Sequence, residues 1–313
     1  MQILSDTDRL PAASTVATIG MFDGVHLGHL TLIDEVKRIA AERHLQSAVI
    51  TFAQHPQQVL RPESDLRMIM TVEEKVAEIG RQGIDATVLM NFTRELSLNT
   101  SRQFLQLLRD RYGVAVLVVG YDHRFGHDKS ETFAHYVRHG EELGIEVIKA
   151  PEYLGEYAPV SSSIIRRLIA SGKVDDAMRC MNRPYALSGK VVHGFHNGRG
   201  IGFPTANVGE MPREVILPHN GAYAVMVNVG GQWRQGMVNV GVRPTLENGP
   251  QLSVEVNIFD FDGDIYGMPI TLHFIKFLRL EFKLGSIDEL RAQLTRDRET
   301  SRRILTAYTD SKQ

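Results

Sequence analysis

One stretch limits what this chain can become: residues 18–29, reading TIGMFDGVHLGH. An apolar β-like run (Val16, Ala17, Thr18, Ile19) meets Gly20, passes through Phe22, Asp23 and Gly24, and reaches His26, Gly28 and His29 just ahead of a helical pattern. Strand, glycine-bearing loop and helix start make the geometry of a phosphate site. Unpaired N–H groups at the helix end attract an anion, and Gly28 lets backbone approach without a Cβ in the way. Two histidines three residues apart lie on one side of a first helical turn. Each offers a ring N–H to phosphate oxygens and can become cationic as negative charge builds up there. An isolated His-x-x-His is usually a surface pair, so the weight rests on the whole string, with Gly20, Phe22, Asp23 and Gly28 as its cradle.

Around this stretch the first half alternates. Short apolar runs at residues 16–19, 48–52, 86–90, 114–119 and 146–149 read as strands of a sheet covered on both faces. Helical patterns at 30–43, 72–82, 102–111 and 131–143 separate them, the second opening on a Thr71-x-x-Glu74 capping box. Such alternation predicts a parallel α/β sheet with ligands at the carboxyl ends of its strands. Polar residues stand at three such places: His55 after residues 48–52, Asp122 after 114–119, and Ser162, Ser163 and Arg166 opening a helix beyond the last strand. The two serines can be simple caps, and with Arg166 they also suit a triphosphate.

Length and composition bound the rest. At 313 residues the chain predicts two ordinary domains, and 43% hydrophobic with 23% charged residues is a globular balance. A net charge of −2 supplies no excess basic field for a nucleic-acid partner. A single cysteine, Cys180, fits a reducing compartment and reads as a small buried residue. The opening MQILSDTDRLPAAS lacks the basic and apolar regions of a signal peptide, and the apolar run at 114–119 is too short to span a bilayer, so a cytoplasmic protein without a membrane partner is expected. We expect domains at 1–182, ending in a helical connector over 171–182, and at 183–313.

The second half is strand-rich, with β-length runs at 186–193, 223–229, 232–240, 252–259 and 270–277, a Gly230-Gly231 hairpin, and a closing helix from Ile287 capped by Ser286-x-x-Glu289. This predicts an antiparallel barrel or sandwich. Its chemistry concentrates at 192–207, where Gly194, Gly198, Gly200 and Gly202 free the backbone to wrap phosphates and Arg199 supplies counter-charge. Thr205 and Asn207 then place a hydroxyl and an amide oxygen two apart, facing the same way in an extended segment and suited to Mg²⁺. On the strand around Glu255, valines and isoleucine take one face and leave Ser253, Glu255 and Asn257 on the other, which makes Glu255 a candidate base for a hydroxyl nucleophile. Arg279, in a loop-like region after the last strand, is a possible ligand contact, equally readable as a solvated charge.

The string ending His26-x-Gly28-His29 resembles the motif of the nucleotidylyltransferase superfamily, and the preceding Phe22-Asp23-Gly24 narrows it to the flavin-adenylylating branch. With TF-x-x-HP at 51–56, VG-x-D-x-RFG at 119–126, SSS-x-IR at 161–166, GR-x-x-GFPTAN at 198–207, NVGVRPT at 239–245 and VEV-x-x-FDFDGDIYG at 254–267, the chain resembles the bacterial bifunctional riboflavin kinase/FAD synthetase family from about residue 15 to 308. The resemblance implies a Rossmann-like nucleotidylyltransferase sheet followed by an antiparallel β-barrel with a terminal helix. It implies two ATP- and Mg²⁺-dependent steps: riboflavin to FMN with ADP released, then FMN to FAD with pyrophosphate released. Carried over, His26 and His29 hold the ATP phosphates while the FMN phosphate attacks the α-phosphorus, and Ser162, Ser163 and Arg166 stabilise departing pyrophosphate. Thr205 and Asn207 bind Mg²⁺ for the kinase, and Glu255 takes the proton of the ribityl 5′-hydroxyl. Met21, Gln54, His123 and Ser163 depart from residues common in the family.

Overall fold

The computed structural model describes residues 1–121, 123–193, 202–245, 249–281 and 285–311, with the backbone alone for 242–245 and 249–252. Contacts divide the chain into two compact units, Met1–Leu66 with Thr71–Ser161, and Arg67–Met70 with Ser162–Gln313.

The first unit runs β1 (Gln2–Leu4), β2 (Thr15–Ile19), α1 (Leu27–Arg43), β3 (Gln46–Phe52), α2 (Pro56–Leu60), α3 (Val72–Arg81), β4 (Ala86–Met90), α4 (Arg94–Ser97), α5 (Ser101–Tyr112), β5 (Val114–Val119), α6 (Phe133–Leu143) and β6 (Glu146–Lys149). The strands form one parallel sheet in the order β1-β4-β3-β2-β5-β6. The chain leaves β2 toward β3 and β4 on one side, then crosses to β5 and β6 on the other. The strand order therefore reverses between β2 and β5, and the crevice beyond their carboxyl ends is where open α/β sheets take ligands. All five residues of β2 are buried, as expected of a strand covered on both faces. The core joins Ile19, Ile50, Val88 and Leu117 of the sheet to Phe104, Leu105 and Leu108 of α5 and Tyr136 of α6. Thr71 caps α3 in the expected reciprocal box with Glu74.

The second unit opens with α7 (Ser162–Ala170) and α8 (Val174–Met181), then β7 (Tyr185–Val192), β8 (Ala206–Gly209), β9 (Gly221–Val229), β10 (Gln232–Thr245), β11 (Gly249–Ile258), β12 (Pro269–Arg279) and α9 (Ile287–Asp310). The strands close into an antiparallel barrel, β10-β11-β8-β7-β12-β9, which settles barrel against sandwich. Leu305 and Ile304 of α9 pack with Phe203, Ala224, Met237 and Ile275. Ser286 caps α9 by accepting from the Glu289 N–H at 3.2 Å, while the Glu289 carboxylate turns to the Gly285 N–H at 2.8 Å instead of closing the box. Residues 67–70 belong to this unit through hydrogen bonds from the Met68 N–H to the Glu214 carbonyl at 2.6 Å and from the Ile216 N–H to the Met68 carbonyl at 2.8 Å.

Candidate active sites

In the first unit the loop after β2 is pinned to β3. The Gly20 N–H donates to the Ile50 carbonyl at 3.1 Å, and the Thr51 hydroxyl donates to the Met21 carbonyl at 3.1 Å. Phe22 and Val25 adopt positive φ angles of 51° and 34° on either side of Gly24 at 82°. That tight path brings His26 to the N-cap of α1, where it is 6% exposed. His26 Nδ1 accepts from the His29 N–H and His29 Nδ1 accepts from the His26 N–H, each at 3.4 Å, so the two imidazoles act as a reciprocal capping box. Both Nδ1 atoms accept, which sets the ring proton on Nε2 in each neutral imidazole. The rings stack with centroids 3.7 Å apart, and Phe22 lies against His29 at 4.8 Å. A Cβ at Gly28 would stand 3.3 Å from the His26 ring, so a side chain there would press on the imidazole. Gly20 lies under the Phe22 ring, 3.1 Å from where its own Cβ would be.

The same strand ends border a cavity of about 510 Å³, lined among others by Ile19, Met21, Phe52, Phe92, His123 and Phe125. Its walls are mostly apolar and aromatic, the lining expected of a planar organic ligand. Two of the family departures, Met21 and His123, thus sit in the wall of this cavity. His55 caps α2, its Nδ1 accepting from the Gln57 N–H at 3.1 Å. Ser162, Ser163 and Arg166 lie on α7, which groups with the second unit. Asp122, Gly194, Gly198 and Arg199 lie outside the described residues.

Asp23 is 1% exposed and lies near Lys75, itself 3% exposed, which the sequence reading passed over. Lys75 Nζ donates to the Phe52 carbonyl at 2.7 Å. The signal for it was its spacing: Val72, Lys75 and Ile79 follow one another at three and four residues, so the lysine sits on the helix's apolar stripe. Burial pushes its ammonium down to about 8 from the ordinary 10.5, with Asp23 opposing the shift. The folded chain therefore releases this proton before the unfolded chain does. The group's cost is full below about pH 8 and fades as pH rises toward 10.5. The denaturant midpoint of the first unit is accordingly expected to rise between pH 7 and pH 9.5 in the parent relative to Lys75→Met, which has no such proton to release.

In the barrel, strand register assembles a polar row. Asn207 of β8 stands opposite Glu255 of β11, which stands opposite Asn239 of β10. Val254 and Val256 are buried in the core on the other face, as the alternation predicts. Asn257 is buried as well because its amide donates to the Pro204 carbonyl at 2.6 Å. Asn239, quoted only as part of a motif, was missed as a site residue; its amide donates to Glu281 at 2.6 Å. Thr205 lies in the wall of a cavity of about 550 Å³ with Pro204, Ala206, Asp262, Asp264 and Tyr266. Gly202, at a φ of 81°, precedes this wall and has open space where a Cβ would be. Arg279 is the last residue of β12 and not part of a loop. Its guanidinium holds the buried Asp297 of α9 through Nε at 2.9 Å and Nη2 at 2.8 Å, so the solvated-charge reading fails.

A family model described as FAD synthetase matches residues 9–164, and one described as riboflavin kinase matches residues 181–305. The bifunctional riboflavin kinase/FMN adenylyltransferase of Listeria monocytogenes is 32% identical over 309 residues, covering 97% of this chain and 96% of its own. The chain belongs to that family. Further members are those of Bacillus subtilis, 35% identical over 92% of this chain and 91% of their own, and Escherichia coli, 33% identical over 96% and 95%. The bifunctional family thus accounts for both halves, an N-terminal FAD synthetase domain and a C-terminal riboflavin kinase domain. A crystal structure titled as a macrolide-efflux protein from Streptococcus pneumoniae shares the fold, with a TM-score of 0.87 and 30% identity over 96% of this chain and 99% of that one. Among the described residues, no helix of the present chain is long and apolar enough to cross a membrane.

Proposed function

We propose that the first unit transfers AMP from ATP to FMN through His26 and His29, and that the barrel phosphorylates riboflavin with Glu255 as base. The observation that carries this reading is the match of both enzyme families, in order, along one chain. In the first reaction an FMN phosphate oxygen attacks the α-phosphorus of ATP and pyrophosphate leaves. The imidazole Nε2–H groups donate to phosphate oxygens and hold developing negative charge at a helix N-terminus. The apolar cavity lined by Phe52, Phe92 and Phe125 takes the flavin ring. On the resemblance of their motifs, Ser162, Ser163 and Arg166 are assigned to the departing pyrophosphate, and His55 and Asp122 to the nucleotide or flavin.

In the second reaction Glu255 takes the proton from the ribityl 5′-hydroxyl, the oxygen attacks the γ-phosphorus, and ADP leaves. Gly194, Gly198, Arg199 and Gly202 are assigned to the ATP phosphates, and Arg279 borders the flavin while fixed by Asp297. Mg²⁺ fits the donors present: Thr205 in the wall of the cavity and Asn207 opposite Glu255 offer neutral oxygens, the set a hard cation takes together with phosphate oxygens and water. Among the described residues no cluster of three or more His, Cys, Asp or Glu stands ready for a metal ion, so these two residues would hold it together with the nucleotide. When bound it neutralises phosphate charge. The free, buried Cys180 supports a reducing compartment such as the cytoplasm as the protein's location.

Incubation with riboflavin, ATP and Mg²⁺, followed by chromatography of the flavins, is expected to yield both FMN and FAD, and chelation of the metal to abolish both. ATP consumption without either flavin product defeats the reading.

A further inference from the structure

We infer that Glu281 is a positioning residue for riboflavin phosphorylation: reaching in from beyond β12, its carboxylate holds the Asn239 amide turned away from the base, Glu255. This rests on the reading of the barrel as the kinase with Glu255 as its base. The chain brings Glu281 there by a fixed route. Arg279 ends β12 opposite Ala222 of β9, and its guanidinium is locked to Asp297. Nη1 of the same side chain donates to the Leu280 carbonyl at 3.0 Å, which pins the residue just before Glu281. Gly221 lets β9 pass close by, since a Cβ there would stand 2.4 Å from the Arg279 carbonyl. From that exit Glu281 crosses the start of β9 to β10, where it accepts from Asn239 Nδ2 at 2.6 Å. Gly241 marks the same spot. A Cβ on it would lie 2.5 Å from Glu281 Oε1, and its three nearest atoms would all belong to the Glu281 carboxyl group. Along β10, Gly241 shares a face with Asn239, and the missing side chain is what leaves room for the carboxylate.

Barrel order decides which way the amide looks. β10 lies between β11 and β9, with β12 beyond β9, so Glu255 flanks Asn239 from one side and Glu281 comes to it from the other. Residues directly opposite on neighbouring strands have Cβ atoms about 4.5–5.5 Å apart, within reach of an asparagine amide and a glutamate carboxylate. A primary amide has an NH2 that donates and an oxygen that accepts, whereas an ionised carboxylate only accepts. Two carboxylates therefore compete for one NH2. Glu281 takes it, which leaves the amide oxygen on the β11 side. Without Glu281 the NH2 would swing toward Glu255. A charge-assisted hydrogen bond there would stabilise the ionised carboxylate and make it a poorer acceptor for the ribityl hydroxyl proton. Glu281 thus acts on the base through Asn239.

The test is a mutant cycle on the full chain, with Glu281→Ala, Asn239→Ala and the double variant, and FMN adenylylation on the same preparations as control. In the parent background Glu281→Ala is expected to lower kcat for riboflavin phosphorylation at least tenfold, with KM for riboflavin within threefold and conversion of supplied FMN to FAD unchanged. In the Asn239→Ala background no amide is left to turn, and the same substitution is expected to cost less than threefold. A carboxylate that only supports the fold or binds substrate would cost the same with or without Asn239. A fall of less than tenfold in the parent, or of threefold or more in the Asn239→Ala background, therefore overturns the proposal. Should Asn239→Ala leave no rate to measure, Gly241→Ala decides, because its methyl group displaces the Glu281 side chain. A tenfold fall in kcat then sustains the proposal and a smaller one overturns it. If the parent chain itself makes no FMN from riboflavin, the kinase reading fails; if it does and Glu281→Ala matches it, only the role of Glu281 fails.

Discussion

Replacing Glu255 with alanine lowers FMN formation from riboflavin by about 10²–10⁴-fold, the range lost with a general base, and leaves conversion of supplied FMN to FAD intact. The size of the effect follows from where the carboxylate stands. Its neighbours Val254 and Val256 face the core, and the ladder on both sides of β11 is backbone, so truncation at the polar face leaves barrel packing in place. Asn207 and Asn239 remain opposite the gap, able to bind but unable to accept the hydroxyl proton at neutral pH. The loss should therefore fall on kcat more than on KM. Steady-state rates for the two reactions on one preparation check this, and equal loss of both by a folded variant would overturn the two-site arrangement.

The opposite pattern is expected from the histidines. Asparagine is a strong N-cap and glutamine serves at the third helical position, so His26→Asn combined with His29→Gln keeps the reciprocal capping of α1 while removing both imidazoles. FAD formation should fall by at least about 10²-fold, the loss typical of removing one preorganised donor from developing negative charge. Riboflavin phosphorylation should stay within twofold. Flavin chromatography would then show FMN accumulating. A variant that still makes FAD at the parent rate would remove the imidazoles from the chemistry.

Much of this was legible because local rules and global fold agree. Continuous apolar runs gave the parallel strands, and Thr71 with Glu74 marked the start of α3. The short elements escaped as strands: β1 has three residues, and β8 has four, following a glycine-rich stretch in which Thr205 and Asn207 read as an extended segment with no strand assigned. Arg279 was placed in a loop because the apolar pattern fades after Phe277, although pairing with Ala222 carries β12 through it. Asn239 escaped for a different reason. Its importance depends on which residue of β11 it faces, and cross-strand register is a property of the closed barrel, not of any local segment. Lys75 escaped because a lysine among glutamates looks solvated until the face it occupies is known.

The excursion of residues 67–70 bears on how the two enzymes can be pulled apart. Met68 is hydrogen-bonded to Glu214 and Ile216, yet it lies between α2 and α3 in the sequence. Scissoring the gene after the codon for Ser161 would export that strand-like stitch without its seam, and would leave the kinase fragment a ragged edge at Val215. Anyone wanting a free-standing kinase should therefore graft the stitch back, or supply it as a peptide.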